Sequence, residues 1–283
     1  MKFLYDAPAI LYKGTLIVGD THFGMEDKLR RRGIFDEQFS MRLFSKLKEL
    51  IVEHRVKILI LLGDVKDNIT TLDSTTERIL AKLALLCKVI IVKGNHDGGI
   101  GKFAVQGHDG IGNNSNYPER IVVQGHGGIG NSGNAEIKPA EGFVFERLGL
   151  IHGHSWPAEE LMSCDYIIMG HQHPMISITD AFGKKKNEPV WLVAPPDEEC
   201  IKKHYKKFNK KIKLILMPAF NPVIGTPINI DEKSHFGPLI NNKLFKLERA
   251  LVYRLSGICL GRIDRNPESL ERFAVQGLVK LKK

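Results

Sequence analysis

The sequence has few cysteines and no long uninterrupted apolar segment. Its four cysteines, Cys87, Cys164, Cys200 and Cys259, lie far apart and form no CxxC pair. This spacing argues against a zinc knuckle or a disulfide framework and predicts reduced thiols in a cytoplasmic protein. No apolar run is long enough to cross a bilayer, so we expect no membrane partner. The first ten residues include Asp6 and lack the apolar core of a signal peptide.

Acidic residues are outnumbered by basic ones. The chain has 41 lysines and arginines against 32 aspartates and glutamates, which gives a formal net charge of +9. A basic surface favours partners that carry phosphate, although charge alone does not select nucleic acid. The length of 283 residues suits one large domain or two small ones with a sizeable core.

Short apolar strands alternate with helical patterns in the first part of the chain. Apolar residues at helical spacing predict a helix within residues 36–54, and Ser74 with Glu77 forms a candidate capping box that opens a second helix. Three strands are predicted around these helices, at 15–19, 56–62 and 88–93. The alternation predicts an α/β architecture with parallel strands.

We expect one domain over residues 1–265 and a tail at 266–283. A Gly/Asn-rich insertion occupies about 98–135 and contains a repeat, GHDGIGNNSN followed by GHGGIGNSGN. Two copies are too few for a solenoid, so we expect a long loop with a hairpin inside it. His108 and His126 lie in this repeat, and we expect neither to be catalytic.

A lysine-rich segment covers about 200–213. Its lysines are spaced to share one face of a helix, which indicates either a solvated surface or a track for nucleic-acid phosphates. They are Lys202, Lys203, Lys206, Lys207, Lys210 and Lys211.

Five apolar strands each end in a short polar motif. Because the carboxyl ends of strands in an α/β sheet meet at one crevice, these side chains should converge. Carboxylate, imidazole and amide groups suit Mn, Fe, Zn or Ni, and there are too many of them for one ion. The motifs are GDTH with Asp20 and His22, GDVKD with Asp64 and Asp67, GNHD with Asn95 and His96, HGH with His152 and His154, and GHQH with His171 and His173.

This motif series resembles that of the calcineurin-like metallophosphoesterases, in the same order along the chain. The resemblance covers residues 15–175 and extends weakly to about 264, where the sequence is similar to archaeal ICC-like phosphoesterases, which are related to phosphoesterases associated with DNA ligase. It implies a four-layer α/β/β/α sandwich of two mixed sheets flanked by helices. The dinuclear metal site would lie at the C-terminal strand edge.

The resemblance also implies a role for each residue of the site. His96 would be the general acid, and Asp67 would hold its ring in orientation. Two divalent ions would be bound, with Mn favoured over Ni, Zn, Fe or Mg. The ligands would be Asp20, His22 and His173 for the first ion, Asp64 as the bridge, and Asn95, His152 and His171 for the second.

The candidate substrate contacts lie close to the motifs. Arg30 and Arg31 follow the first motif and could bind a phosphate in the manner of an arginine fork. His154 would either support the metal ligands from outside or face the substrate, and Trp156 would stack on a base or simply pack.

We expect hydrolysis of phosphate esters, most of all phosphodiesters, by in-line attack of a metal-bridging hydroxide. Two further enzyme classes stay open, a phosphomonoesterase or nucleotide phosphatase and a nuclease on DNA or RNA. A non-enzymatic scaffold is disfavoured because the full motif set is kept. The expected partners are a phosphate-ester substrate, which could be a nucleotide or nucleic acid, and a second copy of the chain in a homodimer.

Overall fold

The computed structural model describes residues 1–100, 120–123, 133–179, 182–227 and 237–263. The chain forms two compact units. The first consists of Met1–Lys2 and Ile10–Ala140, and the second of Phe3–Ala9 and Glu141–Lys283. No helix among the described residues is long and apolar enough to span a membrane.

A short strand, β1 (Lys2–Phe3), opens the chain. The remaining elements of the first unit are a mixed sheet and three helices. They are β2 (Ile10–Tyr12), β3 (Thr15–Val18), α1 (Glu26–Arg31), α2 (Phe39–Glu53), β4 (Ile58–Leu62), α3 (Ser74–Leu86), β5 (Lys88–Val92), β6 (Arg120–Val123) and β7 (Gly133–Lys138).

The seven-stranded sheet of this part of the chain has the strand order β1-β2-β3-β4-β5-β7-β6. Strands β3, β4, β5 and β7 run parallel, whereas β2 and β6 are antiparallel to their neighbours. Leu59, Ile60, Leu61 and Leu62 of β4 are all buried, as expected for a parallel strand covered on both faces. The three predicted strands are therefore present, and their carboxyl ends lie side by side.

The helices of this unit form where apolar residues recur at helical spacing. In α2, Phe39, Leu43, Leu47 and Ile51 are buried along one stripe. The predicted capping box at α3 is wrong, because the N-cap is Asp73, whose carboxylate accepts a hydrogen bond from the Thr76 amide at 2.9 Å. The aspartate one position earlier satisfies the first turn in place of Ser74.

The second unit holds another mixed sheet with short helices. Its elements are β8 (Phe143–Phe145), β9 (Leu148–Ile151), a 3₁₀ helix (Glu159–Ser163), β10 (Tyr166–Met169), β11 (Pro174–Thr179), β12 (Lys185–Ala194), α4 (Glu198–Lys202), β13 (Lys213–Leu216), β14 (Thr226–Pro227), α5 (Pro238–Asn241), a second 3₁₀ helix (Leu247–Arg249), β15 (Leu251–Arg254) and β16 (Cys259–Arg262).

The second sheet has the order β14-β11-β12-β13-β10-β9-β8, with β15 beside β12 and β16 beside β15. Strand β10 is central and runs parallel to both β9 and β13. Ile167, Leu192, Leu214 and Val252 contribute to its buried core. The prediction of an α/β protein with two mixed sheets is thus confirmed.

The lysine-rich segment does not form the single helix that its spacing predicted. Helix α4 ends at Lys202, and most of the later lysines lie in turns. Tertiary hydrogen bonds compete with the helix here. The Asn209 amide donates to the Met162 carbonyl at 2.8 Å, and the Tyr205 hydroxyl donates to the Pro157 carbonyl at 2.9 Å. These bonds, with buried Ile212, fix an irregular chain.

Part of the predicted insertion belongs to the first sheet. Strand β6 pairs antiparallel with β7, and β7 extends the sheet beside β5. His108, His126 and the predicted tail at 266–283 lie outside the described residues.

Candidate metal and catalytic site

The first motif, GDTH, directly follows β3 and is hydrogen-bonded to the residues that follow β4. The side chains of Asp20 and His22 are buried. The Asp20 amide donates to the Gly63 carbonyl at 3.1 Å, and the His22 amide donates to the Asp64 carbonyl at 2.9 Å. Two neighbouring parallel strands therefore deliver their polar residues to one edge of the sheet.

Asp64 follows β4 and is buried between two other motifs. Its Oδ1 accepts a hydrogen bond from the His96 amide at 2.8 Å, and its Oδ2 lies 3.6 Å from Nε2 of His22. Gly94 makes this approach feasible, because a Cβ there would lie 2.2 Å from the Asp64 nitrogen and 2.3 Å from Oδ1. The glycine of GNHD thus has a steric role toward the predicted bridging ligand.

The side chain of Asp97 stabilises the GNHD turn. Its buried carboxylate accepts hydrogen bonds from the Val65 and Gly94 amides, both at 2.9 Å. This carboxylate joins the GNHD turn to the GDVKD turn, and it sets the spacing between Asp64 and His96.

The ring of His96 is held by a backbone atom of Asp67. Nδ1 of His96 lies 2.7 Å from the Asp67 carbonyl oxygen, while the Asp67 carboxylate lies 3.3 Å from Nδ1 of His22 and 3.1 Å from Nζ of Lys28. The expected contact between Asp67 and His96 is therefore present, but the carboxylate is directed to other partners. His22, Asp67 and His96 together form a group of nitrogen and oxygen atoms close enough to hold a metal ion.

The carboxyl of Asp67 is held in its charged form. Burial raises its pKa, but hydrogen bonds from His22 and Lys28 outweigh that effect and keep the pKa below its ordinary value. A charged Asp67 accepts the Nδ1 proton of His22, which leaves Nε2 of that ring as the atom available for a metal.

Imidazoles cluster at the ends of two parallel strands in the second unit. His152 follows β9 and is fully buried, and His171 follows β10. Nδ1 of His171 lies 3.2 Å from Nε2 of His152, and the ring of His154 has its centroid 5.4 Å from that of His152. His154 is less buried than His152, and half-buried His173 follows two residues after His171.

Five of the seven predicted ligands have a left-handed backbone, which is uncommon for residues other than glycine. Such conformations cost about 1–3 kcal/mol each and concentrate at functional sites. The φ angles are 56° at Asp20, 42° at His22, 47° at Asp64, 67° at His171 and 45° at His173. Of the other two ligands, His152 is buried and Asn95 lies exposed in the turn after β5.

Two of the predicted substrate contacts are arginines on the protein surface. Arg30 and Arg31 are exposed on α1, and the Arg30 guanidinium lies 3.1 Å from Asp27 and 3.5 Å from Glu37. Exposed ion pairs of this kind are weak, so a phosphate could displace the carboxylates.

Trp156 is 38% exposed and is backed by other aromatic rings. Its ring stacks on that of Tyr205 with centroids 6.3 Å apart, and it meets His204 edge-on at 4.8 Å. Burial raises the pKa of Tyr205 to about 12, so its hydroxyl stays protonated and donates to the Pro157 carbonyl. Trp156 is therefore packed on one side and open on part of its surface.

Lys66 is the functional candidate that the sequence reasoning missed. It lies inside GDVKD, between Asp64 and Asp67, yet its side chain is fully buried. Burial lowers its pKa, an effect that the nearby Asp97, Asp64 and Asp73 carboxylates oppose. A lysine placed between two site carboxylates was a signal in the sequence, but its burial was not visible there.

The sequence profile of the calcineurin-like phosphoesterases matches residues 15–175, which is more than half of the chain. The chain belongs to the calcineurin-like phosphoesterase family. The family prediction is confirmed, and the chain is an enzyme of a metal-dependent phosphoesterase family that uses dinuclear sites. No curated protein matches the sequence.

Two solved structures are similar to this phosphoesterase at a distance. Nuclease MPE from Pseudomonas putida has 18% sequence identity and a TM-score of 0.47, with 88% of this chain and 89% of that chain covered. YfcE, a phosphoesterase from E. coli, has 14% identity and a TM-score of 0.35, with 89% and 99% covered.

The donor chemistry of this phosphoesterase fits divalent transition ions. Buried carboxylates and imidazoles are costly unless a cation or hydrogen bonds compensate them. Asp20, Asp64, His22 and His152 are all buried, at 4% exposure or less. Oxygen and imidazole donors without thiolates suit Mn, Fe, Zn or Ni.

One test of the site geometry is the replacement of Gly94 by alanine. We expect Gly94→Ala to destabilise the metal-free protein by about 1–3 kcal/mol, because its Cβ would overlap Asp64. Urea unfolding measures this loss. Gly14→Ala is the control, since its Cβ meets nothing within 4 Å and only its left-handed φ is strained. Hydrolysis that survives Gly94→Ala unchanged would show that the turn tolerates displacement of Asp64.

Proposed function

We propose that this enzyme is a two-metal phosphodiesterase of the ICC-like subgroup, with its two sheets arranged as a four-layer sandwich. The observation that carries the proposal is the burial of carboxylates and imidazoles directly after parallel strands. The proposed ligands are those that the family resemblance implied. They are Asp20, His22 and His173 for one ion, Asp64 as the bridge, and Asn95, His152 and His171 for the other.

Two bound ions would supply the positive charge that binds phosphate oxygens and activates water for in-line attack. The chain's own groups orient the reacting partners. Asp67 accepts from Nδ1 of His22 and fixes that ring. The Asp67 carbonyl accepts from Nδ1 of His96, which leaves Nε2 of His96 to donate a proton to the departing oxygen.

A substrate panel tests this proposal. Metal-stripped protein is refilled with Mn, Ni, Zn or Mg and assayed with bis-p-nitrophenyl phosphate and p-nitrophenyl phosphate. We expect the highest kcat/KM for the diester with Mn. A preference for the monoester would indicate a phosphomonoesterase or nucleotide phosphatase instead of a diesterase. The absence of turnover with every metal would contradict the proposed function.

Nucleic acid is the second candidate substrate. The exposed lysines of the segment 200–213 favour it because they could contact phosphates. Lys203, Lys206, Lys207, Lys210 and Lys211 are all exposed. The panel therefore includes a single-stranded oligonucleotide. Binding through phosphates should weaken steeply as salt is raised, because condensed counterions are released on binding. Binding that is absent, or insensitive to salt, would remove this candidate.

A further inference from the structure

The buried ammonium of Lys66 holds the turn that follows the GDVKD motif. Nζ donates hydrogen bonds to the carbonyl oxygens of Asn68 and Ile69, the latter at 3.0 Å. Asn68 and Ile69 are themselves exposed, so within the protein it is the Lys66 side chain that ties their carbonyl groups to the interior, and an apolar side chain at this position would supply no donor to either. Burial lowers the pKa of Lys66, and the negative charges of Asp97, Asp64 and Asp73 offset part of that effect.

The turn held by Lys66 is also the one that contacts the GNHD turn. The Asp67 carbonyl binds Nδ1 of His96 at 2.7 Å. A Cβ on Gly98 would lie 3.0 Å from the Ile69 carbonyl oxygen, so the two turns are packed closely. Movement of residues 67–69 would therefore move the acceptor that orients the ring of His96.

The hydrogen bond to Asp67 also keeps one proton of the His96 ring on Nδ1. A carbonyl oxygen only accepts, so Nδ1 must be the donor. The acid form of His96 is then the imidazolium, which gives its Nε2 proton to the leaving group and becomes the neutral tautomer protonated at Nδ1. If the Asp67 carbonyl moved away from Nδ1, neither the orientation nor the tautomer of the His96 ring would be fixed.

We propose that Lys66 is a positioning residue, which acts on the reaction through His96 by holding the Asp67 carbonyl against Nδ1. This inference rests on the proposed function, in which His96 is the general acid. Lys66 itself contacts neither the substrate nor the reacting atoms. It acts by donating hydrogen bonds to the carbonyl oxygens of Asn68 and Ile69.

The test is a double-mutant cycle between Lys66→Met and His96→Ala, read with good and poor leaving groups. General acid catalysis contributes about 10²–10⁴-fold. We expect Lys66→Met to lower kcat by ~10–100-fold for a poor leaving group and much less for p-nitrophenolate, within the range that acid catalysis supplies. In the His96→Ala background the same change should cost under about 2-fold, because coupled residues are not additive. An equal loss in both backgrounds would overturn the proposal.

A spectroscopic measurement keeps the test independent of turnover. In metal-free protein, ¹⁵N spectra of the histidine rings should show His96 protonated at Nδ1, and Lys66→Met should remove that preference. Lys66→Gln, whose side-chain amide offers two N–H donors and no charge, should lie in between. An unchanged His96 tautomer in Lys66→Met would also overturn the proposal.

Folding of the variant is controlled by a second substitution in the same turn. The Asn68 side chain accepts hydrogen bonds from the Thr70 amide at 3.0 Å and from the Thr71 amide at 3.3 Å. Should Lys66→Met not fold, Asn68→Ala loosens the turn from its exposed side and should reproduce the dependence on His96. Wild-type protein without esterase activity would contradict the proposed function, while the ring spectra would still decide the role of Lys66.

Discussion

Replacing Asp64 by asparagine is expected to lower kcat for bis-p-nitrophenyl phosphate by ~10³-fold or more. Metal-ion catalysis is worth several kcal/mol, and each 1.36 kcal/mol is tenfold in rate. Asparagine keeps the shape of the side chain and one oxygen that accepts from the His96 amide. The variant should therefore fold, yet it loses the second anionic oxygen that a bridging ligand requires.

The measurement for Asp64→Asn combines turnover with metal content determined by elemental analysis. We expect less than two ions per chain and an unfolding midpoint in metal-free protein close to that of the wild type. Glu53→Gln is the matched control, because it makes the same chemical change on an exposed helical residue in the same unit. Activity retained by Asp64→Asn with full metal content would rule out the bridging assignment.

The positions of the predicted ligands followed from simple strand patterns. Each of β3, β4, β5, β9 and β10 is a short apolar run that a polar motif ends, and within each sheet the ends of neighbouring parallel strands lie at one edge of that sheet. Burial of β4 and of the residue after it, Gly63, could be anticipated in the same way. The sequence thus predicted which residues end the strands without any knowledge of loop geometry.

The contacts around Asp67 could not be predicted in that way. The family resemblance implied a role for Asp67 toward His96, but the carboxylate contacts His22 and Lys28, and the carbonyl contacts His96. Which atom of a residue reaches a partner depends on backbone dihedrals in a turn, and these leave no pattern in the sequence. The hydrogen bonds of Lys66 to main-chain carbonyls were hidden for the same reason.

The lysine-rich segment had a clear sequence pattern, but the helix that the pattern predicted is not formed. Spacing at helical intervals is compatible with a helix, yet Asn209 is held in a turn. Its side-chain oxygen accepts from the Lys211 amide, and its backbone and side-chain nitrogens donate to the carbonyls of Met162 and Cys164. Asparagine side chains favour turns because they compete for backbone groups. Tertiary hydrogen bonds of this kind override local periodicity, which explains why helix α4 ends at Lys202.

Replacing His96 by alanine should separate acid catalysis from metal binding. We expect kcat to fall by ~10²–10⁴-fold for esters with poor leaving groups, the range that a positioned acid supplies. The loss should be much smaller for p-nitrophenyl esters, whose leaving group needs little protonation. The Asp67 carbonyl would lose the Nδ1 partner that it has at 2.7 Å, but it is a backbone group near the surface turn and can bind water instead.

The comparison of leaving groups identifies His96 as the acid. In the wild type the rate should depend only weakly on the basicity of the leaving group, whereas in His96→Ala it should fall steeply as that basicity rises. His54→Ala, which replaces a histidine just after α2, is the control and should keep the weak dependence of the wild type. Both variants should bind two ions. Loss of an ion from His96→Ala would make His96 a ligand, which the group of His22, Asp67 and His96 allows geometrically, and the acid would then have to be sought elsewhere.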